Sequence, residues 1–268
     1  MRVAHLSDVH VLERRQPSGS AVGDGYTLRT RLVSYARSFA PEARIEKLRR
    51  SLAAARESGA SHVVITGDLT EIGNDAQFDV FAEALHDSKI TPSRVTLVPG
   101  NHDAYTSGTS WSRAMAGPLA AFAESSAGEA GKVVDRGDVV FLPIDASCFQ
   151  SITRAGGEIT GTITDALETR LGDPSLRRKS VVIVLHHPPF APRGRVSGWV
   201  DGLRGSTRLL GVVQRYANVQ VLHGHLHKAV DCHAGGCRIF GAPAVVDDRE
   251  SARVRVYDLK GGVFEAAA

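Results

Sequence analysis

Short apolar runs rich in β-branched residues alternate along this chain with segments of helical periodicity. Such runs are typical of strands buried in a sheet that helices cover on both faces. The sequence predicts six strands of this kind, at 2–6, 62–66, 94–98, 139–144, 181–185 and 219–222. It predicts amphipathic helices at 43–57, 75–86 and 206–217. The alternation therefore favours an α/β layered fold.

The last third of the chain changes character, because strand-like segments follow one another there with short glycine turns. These segments, at 237–240, 252–259 and 263–265, predict antiparallel pairing near the end of the chain.

Two helix ends are also marked in the sequence. Gly59 stands where a C-cap belongs, and Ser206 is expected to cap the helix at 206–217.

One long irregular stretch, at residues 12–42, separates the first two predicted strands and turns weakly helical near 28–39. We interpret it as a surface or packing segment, with a lid over a functional site as the alternative. No other stretch is typical of a domain linker. We therefore expect a single domain spanning residues 1–268, with 12–42 as an insertion in it.

Charge and cysteine content exclude several classes of protein. The 268 residues include 32 basic and 29 acidic side chains, and a net charge of +3 does not indicate a nucleic-acid or anionic membrane partner. Three cysteines do not indicate a disulfide framework, which fits a reducing compartment. No apolar run approaches the ~20 residues of a membrane span, and no secretory signal is evident. We expect a cytoplasmic protein without a transmembrane segment.

Side chains that can bind metal ions follow five of the six predicted strands. These residues, in chain order, are Asp8, His10, Asp68, Asn101, His102, Asp103, His186, His187, His225 and His227. Ligands of α/β sheets bind outside the carboxyl ends of the strands, where these side chains would meet. A shared metal site explains their number better than packing does, because isolated buried charges are costly.

The chemistry of this set indicates which metals it would hold. It combines carboxylate, imidazole and amide oxygen without thiolate, which suits Mn, Fe, Zn or Co. The set is too large for one tetrahedral ion, so we expect two ions. A rival zinc site would join Cys232 and Cys237 to His225 and His227, but the cysteine spacing matches no usual pair. We expect those cysteines to flank a hairpin turn instead, and His223 to end its strand.

The ordered motifs resemble those of the calcineurin-like metallophosphoesterases. They are Asp8-x-His10, Gly67-Asp68, Gly100-Asn-His-Asp103, His186-x-Pro188 and Gly224-His-x-His227. The chain is most similar to the bacterial single-domain phosphodiesterases, which include cyclic-nucleotide and glycerophosphodiester enzymes. This resemblance implies a four-layer α/β/β/α sandwich of two mixed sheets flanked by helices. It also allows a homodimer.

The resemblance also implies a role for each motif residue. One ion would be held by Asp8, His10 and His227, and the other by Asn101, His186 and His225. Asp68 would bridge both ions. His102 would lie near the leaving-group oxygen as a proton donor, with Asp103 orienting it. The implied reaction is hydrolysis of a small phosphodiester by a hydroxide that bridges the two ions.

Three other functions are weighed against this one. The second hypothesis is a phosphomonoesterase or protein phosphatase. Protein phosphatases are disfavoured because Pro99 precedes Gly100 and Asp103 replaces the glutamate usual in protein phosphatases of this superfamily. A nuclease lacks support because the sequence shows no basic stripe that would follow a phosphate backbone. A non-catalytic scaffold with this fold would be expected to lose ligands that this chain retains.

Substrate-contacting residues are harder to predict. The loop after Pro189 carries Arg193, Arg195 and Trp199, which could meet a phosphate and stack on a base. An ordinary surface loop explains them equally well. We also include Tyr105, just past the third motif, and His187, which would either support the metal ligands or face the substrate.

Overall fold

The computed structural model of the chain describes residues 1–14, 28–34, 37–190 and 199–267. The strands, in chain order, are β1 (Arg2–Leu6), β2 (His62–Thr66), β3 (Val95–Val98), β4 (Val134–Arg136), β5 (Val139–Pro143), β6 (Gly157–Glu158), β7 (Ser180–Val184), β8 (Leu203–Arg204), β9 (Val219–His223), β10 (Val230–Ala234), β11 (Cys237–Gly241), β12 (Arg255–Lys260) and β13 (Val263–Ala266). The helices are α1 (Leu28–Val33), α2 (Pro41–Glu57), α3 (Asp75–Asp87), α4 (Ser110–Ala116), α5 (Gly161–Leu171) and α6 (Ser206–Val213). Short 3-10 turns connect several of them. The α/β prediction is confirmed.

Two large mixed sheets carry the fold. The first has the strand order β13-β12-β1-β2-β3, and the second has the order β10-β11-β9-β7-β5-β4. The central strands of each sheet run parallel, and antiparallel strands close the edges at β13, β12, β10 and β4. The late antiparallel pairing that the sequence predicts is therefore confirmed, although β11 also pairs in parallel with β9.

Side-chain alternation in the second sheet shows how the layers stack. Val182 and Val184 of β7 lie in the core between the two sheets, whereas Val181 and Ile183 face a second core beneath α5 and α6. The apolar faces of α2 and α3 complete the first core from the other side. The result is the predicted four-layer sandwich.

Two predicted helix boundaries were tested by the structure. Helix α2 ends at Glu57, and Gly59 follows with a left-handed φ of 73°, as the sequence predicts. The prediction for Ser206 is wrong, because Gly205 occupies the cap position with φ 83°. A side chain at Gly205 would place its Cβ 2.4 Å from the Ile159 carbonyl oxygen, so the turn requires glycine.

The two sheets are joined at the carboxyl ends of their central strands. The chain after β1 accepts a main-chain bond from the chain after β11, since Val245 N–H donates to Ser7 O at 2.9 Å. The loop after β9 is tied to the loop after β1 by His225 N–H, which donates to Asp8 Oδ2 at 3.1 Å, and to the loop after β7 by Gly224 N–H, which donates to His186 O at 2.9 Å. These bonds bring the loops after β1, β7 and β9 to one place, which is where the predicted metal-binding side chains lie.

The 12–42 segment is described in part, since residues 15–27 and 35–36 lie outside the described residues. Its described parts contact the rest of the domain: Arg14 pairs with Glu83, and Arg37 pairs with Glu71. These contacts agree with the packing interpretation, and the role of the whole segment stays a prediction. Within the described residues, no helix has the length and apolar character needed to cross a membrane.

Candidate metal centre

Asp68, in the loop after β2, lies at the middle of the predicted site. Its Oδ2 atom is 3.3 Å from His186 Nε2, 3.7 Å from His10 Nε2 and 3.9 Å from His102 Nε2. On one side, His227 Nε2 lies 3.4 Å from Asp8 Oδ1. The structure therefore brings together loops from both sheets around one carboxylate, as the sequence predicts.

The backbone around the site is strained at the metal-binding residues themselves. Left-handed φ angles occur at Asp8 (54°), His10 (52°), Asp68 (49°), His225 (67°) and His227 (56°). Such angles are uncommon outside glycine, and residues held in them cluster at functional sites. Part of the cause is local, because the Asp68 carbonyl accepts bonds of 2.8 Å from the amides of both Val9 and His10.

Several buried polar atoms at the site have no hydrogen-bond partner among the described residues. They are Asp8 Oδ1, both ring nitrogens of His10, Asn101 Oδ1 and His186 Nε2. Burying a polar atom without a partner costs roughly 1–3 kcal/mol. One metal ion can satisfy several of these atoms at once, so the residues present fit a metal centre.

Groups of ligand atoms lie close enough to share an ion. The atoms of Asp8, His10 and His227 lie within 4.8 Å of one another, and so do those of Asp8, Asp68 and His186. A further group of this kind joins His186, His187 and His225. A fourth group joins His10, Glu71 and His102, so the groups overlap through shared residues.

Each of three candidate histidine ligands has one ring nitrogen fixed by a hydrogen bond. The bonds join His186 Nδ1 to Thr66 O (2.6 Å), His225 Nε2 to Asp201 O (3.1 Å) and His227 Nδ1 to Asp247 Oδ2 (3.0 Å). The opposite ring nitrogen of each is left available to a metal ion, which is the usual support of a ligating imidazole.

Charge is tightly coupled between Asp68 and its neighbours. Burial would raise the pKa of Asp68, but the adjacent His186 and His102 hold it well below its usual range. Burial would lower the pKa of His186, but Asp68 outweighs it and raises that pKa to about 9. A metal ion on His186 Nε2 would take the place of this proton, so metal binding is expected to release protons.

Tyr105 supports a ligand instead of contacting substrate, which corrects the prediction. Its side chain is buried, and its hydroxyl donates to Arg154 O at 2.8 Å. The same oxygen accepts from Asn101 Nδ2 at 3.0 Å, which turns Asn101 Oδ1 away from Tyr105 and leaves it unpaired. Burial raises the pKa of the Tyr105 phenol, so it stays protonated.

His187 is also fully buried, which favours support of the metal ligands over contact with the substrate, and its role stays a prediction. Its Nε2 donates to the Ala155 carbonyl at 2.9 Å. Its ring packs against Gly157, where an added Cβ would lie 2.4 Å from His187 Nδ1. Burial lowers the pKa of His187 to about 3, so the ring is neutral and packs between the ligand loops.

His102 is oriented by a main-chain carbonyl. Its Nδ1–H donates to Glu71 O at 2.7 Å, which directs Nε2 toward the site. Although largely buried, the ring keeps a small exposed edge. Burial lowers the pKa of His102, and the carboxylates of Asp68 and Glu71 oppose that change.

The predicted role of Asp103 is wrong, because its carboxylate does not orient His102. It instead accepts four bonds, from the main-chain N–H groups of Leu69 (3.1 Å), Thr70 (2.9 Å) and Gly100 (2.9 Å) and from the Thr70 hydroxyl (2.7 Å). These bonds tie the loop after β2 to the loop after β3 and so fix the position of Asp68. Burial raises the pKa of Asp103 to about 6, with a further contribution from Asp68.

Comparisons with known proteins agree with the family resemblance of the motifs. The family model of the calcineurin-like phosphoesterases matches residues 1–229. The chain belongs to this family. A protein from Synechococcus sp. (strain WH7803) named "probable cyclic nucleotide phosphodiesterase" is 36% identical over 93 residues. That match covers 32% of this chain and 35% of that protein, so only about a third of the relative is matched.

Solved structures share the fold of this phosphoesterase at low sequence identity. A dimetal phosphatase from Danio rerio superposes with a TM-score of 0.69 at 15% identity, covering 97% of this chain and 93% of that one. A sulfate thiohydrolase from Thermus thermophilus gives a TM-score of 0.52 at 14% identity, over 97% of this chain and 53% of that one. These likenesses support the assigned fold.

Glu71 is a buried residue of the phosphoesterase site that the sequence analysis missed. Its carboxylate pairs with Arg37 at 2.6 Å and with Arg44. Burial would raise the pKa of Glu71, but the two arginines outweigh it and lower the pKa. Arg44 Nη1 also donates to His10 O at 2.7 Å, so this ion-pair network holds the main chain of one ligand and, through Glu71 O, the ring of His102.

The remaining predicted residues have different outcomes. Arg193 and Arg195 lie outside the described residues. Trp199 is exposed, with the Arg154 guanidinium 4.5 Å from its ring centroid, and its contact with substrate stays a prediction.

His223 ends β9, and Cys232 and Cys237 flank a hairpin turn as free thiols, as predicted. Among the described residues, no candidate metal group of the phosphoesterase contains a cysteine.

Proposed function

We propose that this chain is a dinuclear metal-dependent phosphodiesterase that hydrolyses a small phosphodiester. The observation that carries the proposal is the convergence of unpartnered buried ligand atoms on Asp68. In this assignment Asp8, His10 and His227 would hold one ion, and Asn101, His186 and His225 would hold the other. Asp68 would be the ligand that the two ions share.

Two ions in such a centre supply positive charge for the phosphate oxygens and activate a water for attack at phosphorus. The protein's own contribution is orientation. Asp103 fixes the loop that carries Asp68, and Tyr105 and Thr66 fix the two ligands Asn101 and His186. These groups hold the site in one arrangement before substrate arrives, which lowers the cost of reaching the transition state.

His102 moves the proton that the leaving group needs. The Glu71 carbonyl holds Nδ1–H, so the proton that can be transferred is the one on Nε2, near Asp68. An alkoxide is a poor leaving group and gains from protonation, a step worth about 10²–10⁴-fold. The His102 side chain keeps a small exposed area, through which a bound ester can approach it.

A diester is favoured over a monoester on two grounds. The relative from Synechococcus carries the name of a cyclic nucleotide phosphodiesterase, although a third of its length is matched. The third motif also has Pro99 before Gly100 and Asp103 in place of glutamate, unlike protein phosphatases of the superfamily. A phosphomonoesterase is the second candidate, and the same assay separates the two.

The test is hydrolysis of bis(p-nitrophenyl) phosphate beside p-nitrophenyl phosphate. The protein is stripped of metal with a chelator and re-supplied with Mn²⁺, with Asp68→Ala as the control. We expect metal-dependent turnover that is faster on the diester and lost in the control. Faster turnover of the monoester would move the assignment to phosphatase, and no turnover with two ions bound would contradict both.

A further inference from the structure

A cleft of about 620 Å³ opens beside the metal centre, between α2 and the turn at Val245–Asp247. Its wall includes His227, a candidate ligand of the first ion. The cleft is markedly basic, since five cationic side chains line it. They are Arg37, Arg44, Lys47, Arg249 and Arg253. A cavity of this charge next to a phosphoesterase centre is suited to an anionic ligand.

Three carboxylates face these five cationic side chains among the described residues. Asp247 and Asp248 line the cleft, and the buried Glu71 pairs with both Arg37 and Arg44. Asp247 accepts from His227 at 3.0 Å, and Asp248 pairs at 2.8 Å with Arg50, which lies outside the lining. The cleft therefore keeps an excess of positive charge even before metal ions add theirs.

Two arginines of the cleft have no carboxylate partner. Arg249 is exposed and Arg253 is half-buried, and neither forms an ion pair within the described ranges. A phosphate group offers several oxygens to such guanidinium groups at once, in bidentate pairs.

We propose that this cleft binds a second phosphate group of the substrate, so that the natural substrate is a phosphodiester that also carries a phosphate monoester. The inference rests on the proposed function, because it places the scissile phosphate at the adjacent centre. His227 forms part of both sites, so one molecule can occupy both. Free inorganic phosphate has the same chemistry as the proposed group, and the test separates these two sources.

The test compares two substrates that share a leaving group. They are thymidine 5′-(p-nitrophenyl phosphate) and the same compound with a 3′-phosphate, each assayed with Mn²⁺-loaded protein. We expect kcat/KM to be about tenfold higher for the 3′-phosphorylated compound, as charge-assisted hydrogen bonds of ordinary strength would give. The effect should appear mainly in KM, because the second phosphate lies away from the reacting bond.

Matched variants locate the effect. In Arg249→Gln/Arg253→Gln the preference should fall to about one, while kcat/KM for the unphosphorylated compound stays unchanged. The control is Arg208→Gln/Arg215→Gln, which removes the same charge from exposed ion pairs on and beside α6. This control should keep the preference. A second arm titrates inorganic phosphate into the chelator-stripped wild type and the cleft variant, and we expect weaker binding in the variant.

The outcomes are distinct. If the wild type hydrolyses both compounds with equal kcat/KM, the inference is overturned while the proposed function stands. If phosphate binding depends on Arg249 and Arg253 but the substrates are not distinguished, the cleft is a site for free phosphate and the inference is again overturned. If neither compound is hydrolysed with metal bound, the proposed function itself fails.

Discussion

The two sheets support their share of the metal centre in different ways. Ligands that follow the first sheet are held by buried carboxylates, since Asp103 fixes the Asp68 loop and Glu71 anchors Arg44 against the His10 carbonyl. Ligands that follow the second sheet are held by single acceptors. Thr66 O and Asp201 O are main-chain groups, and Asp247 has a side chain that is 50% exposed.

This difference teaches where the site depends on the fold. A buried charge must stay paired, so substitutions around the ligands of the first sheet should lower the free energy of unfolding as well as the activity. A main-chain acceptor survives most substitutions, and an exposed carboxylate is easily replaced by water. The second half should therefore tolerate change better, with its losses confined to metal affinity.

The largest effect is expected for His102→Ala, in the first half. We expect kcat to fall by about 10²–10⁴-fold on diesters with alkyl leaving groups, because an alkoxide needs the proton from Nε2. On p-nitrophenyl esters, which leave without protonation, the loss should be much smaller. Metal content measured by elemental analysis should stay at the wild-type value, and the exposed His86→Ala serves as control. Equal losses on both leaving groups would contradict the proton-donor role.

Glu71→Gln is the next largest, and it tests whether the first half depends on buried charge. The change removes the buried negative charge that Arg37 and Arg44 share, so the free energy of unfolding should fall by about 3–5 kcal/mol. Urea denaturation measures it. Glu158→Gln breaks an exposed pair with Arg204 and should cost under about 1 kcal/mol. Equal losses of unfolding free energy in the two variants would show that the buried ion pairs stabilise the fold no more than an exposed one.

Asp247→Asn probes the second half. The substitution removes the negative charge that orients His227, so metal affinity should fall by about 10–100-fold. Calorimetric titration of Mn²⁺ into chelator-stripped protein measures this, and stability of the metal-free protein should change little. The surface variant Glu265→Gln, which loses an exposed pair with Lys260, is the charge-matched control. An affinity equal to that of the control would show that His227 needs no such support.

The smallest effect concerns His62, which begins β2 at the end opposite Asp68. It shows what burial alone does to a histidine that lies away from the metal centre. Burial lowers the pKa of His62 to about 3. Below pH 6.5 the unfolded chain binds a proton at His62 that the folded chain does not. The contribution of His62 to the free energy of unfolding is therefore fully present above that pH and is lost as pH falls.

His62→Gln can keep the bond that His62 Nε2 makes with the Thr96 hydroxyl at 2.9 Å, but it does not titrate. Relative to this variant, the wild type should lose about 1.4 kcal/mol of unfolding free energy for each pH unit below 6.5. Urea denaturation at pH 7 and pH 5 measures the difference, with and without metal. A pH-independent difference would show that His62 is not neutral in the folded state.

The sequence predicted the strands, and the convergence of the candidate ligands, because both follow from local pattern. The bounds of β1 and β2 agree residue for residue with the predicted ones. The candidate ligands lie together because parallel strands end at one edge, whatever the details of packing. Ser206 shows where local pattern is not enough. The N-cap of α6 is Gly205 instead, because the backbone there is left-handed and packs against Ile159.

Supporting residues could not be predicted, because their roles depend on contacts between distant loops. Asp103 accepts from Leu69 and Thr70, more than thirty positions earlier, and His227 meets Asp247 across the β10–β11 hairpin. An adjacent aspartate was the natural partner for His102 in sequence, but the carbonyl of Glu71 lies closer in space. Sequence pattern carries no information on such distances.

The junction between the two sheets has a consequence for how the protein unfolds. His225 N–H donates to Asp8 Oδ2 at 3.1 Å across 217 positions of the chain, and the proposed first ion would join the same two loops. A bound ion would then act as a reversible cross-link that closes nearly the whole chain into a loop. Apparent melting temperature should therefore rise with free metal concentration, and hydrogen exchange should slow together at the ends of β1 and β9.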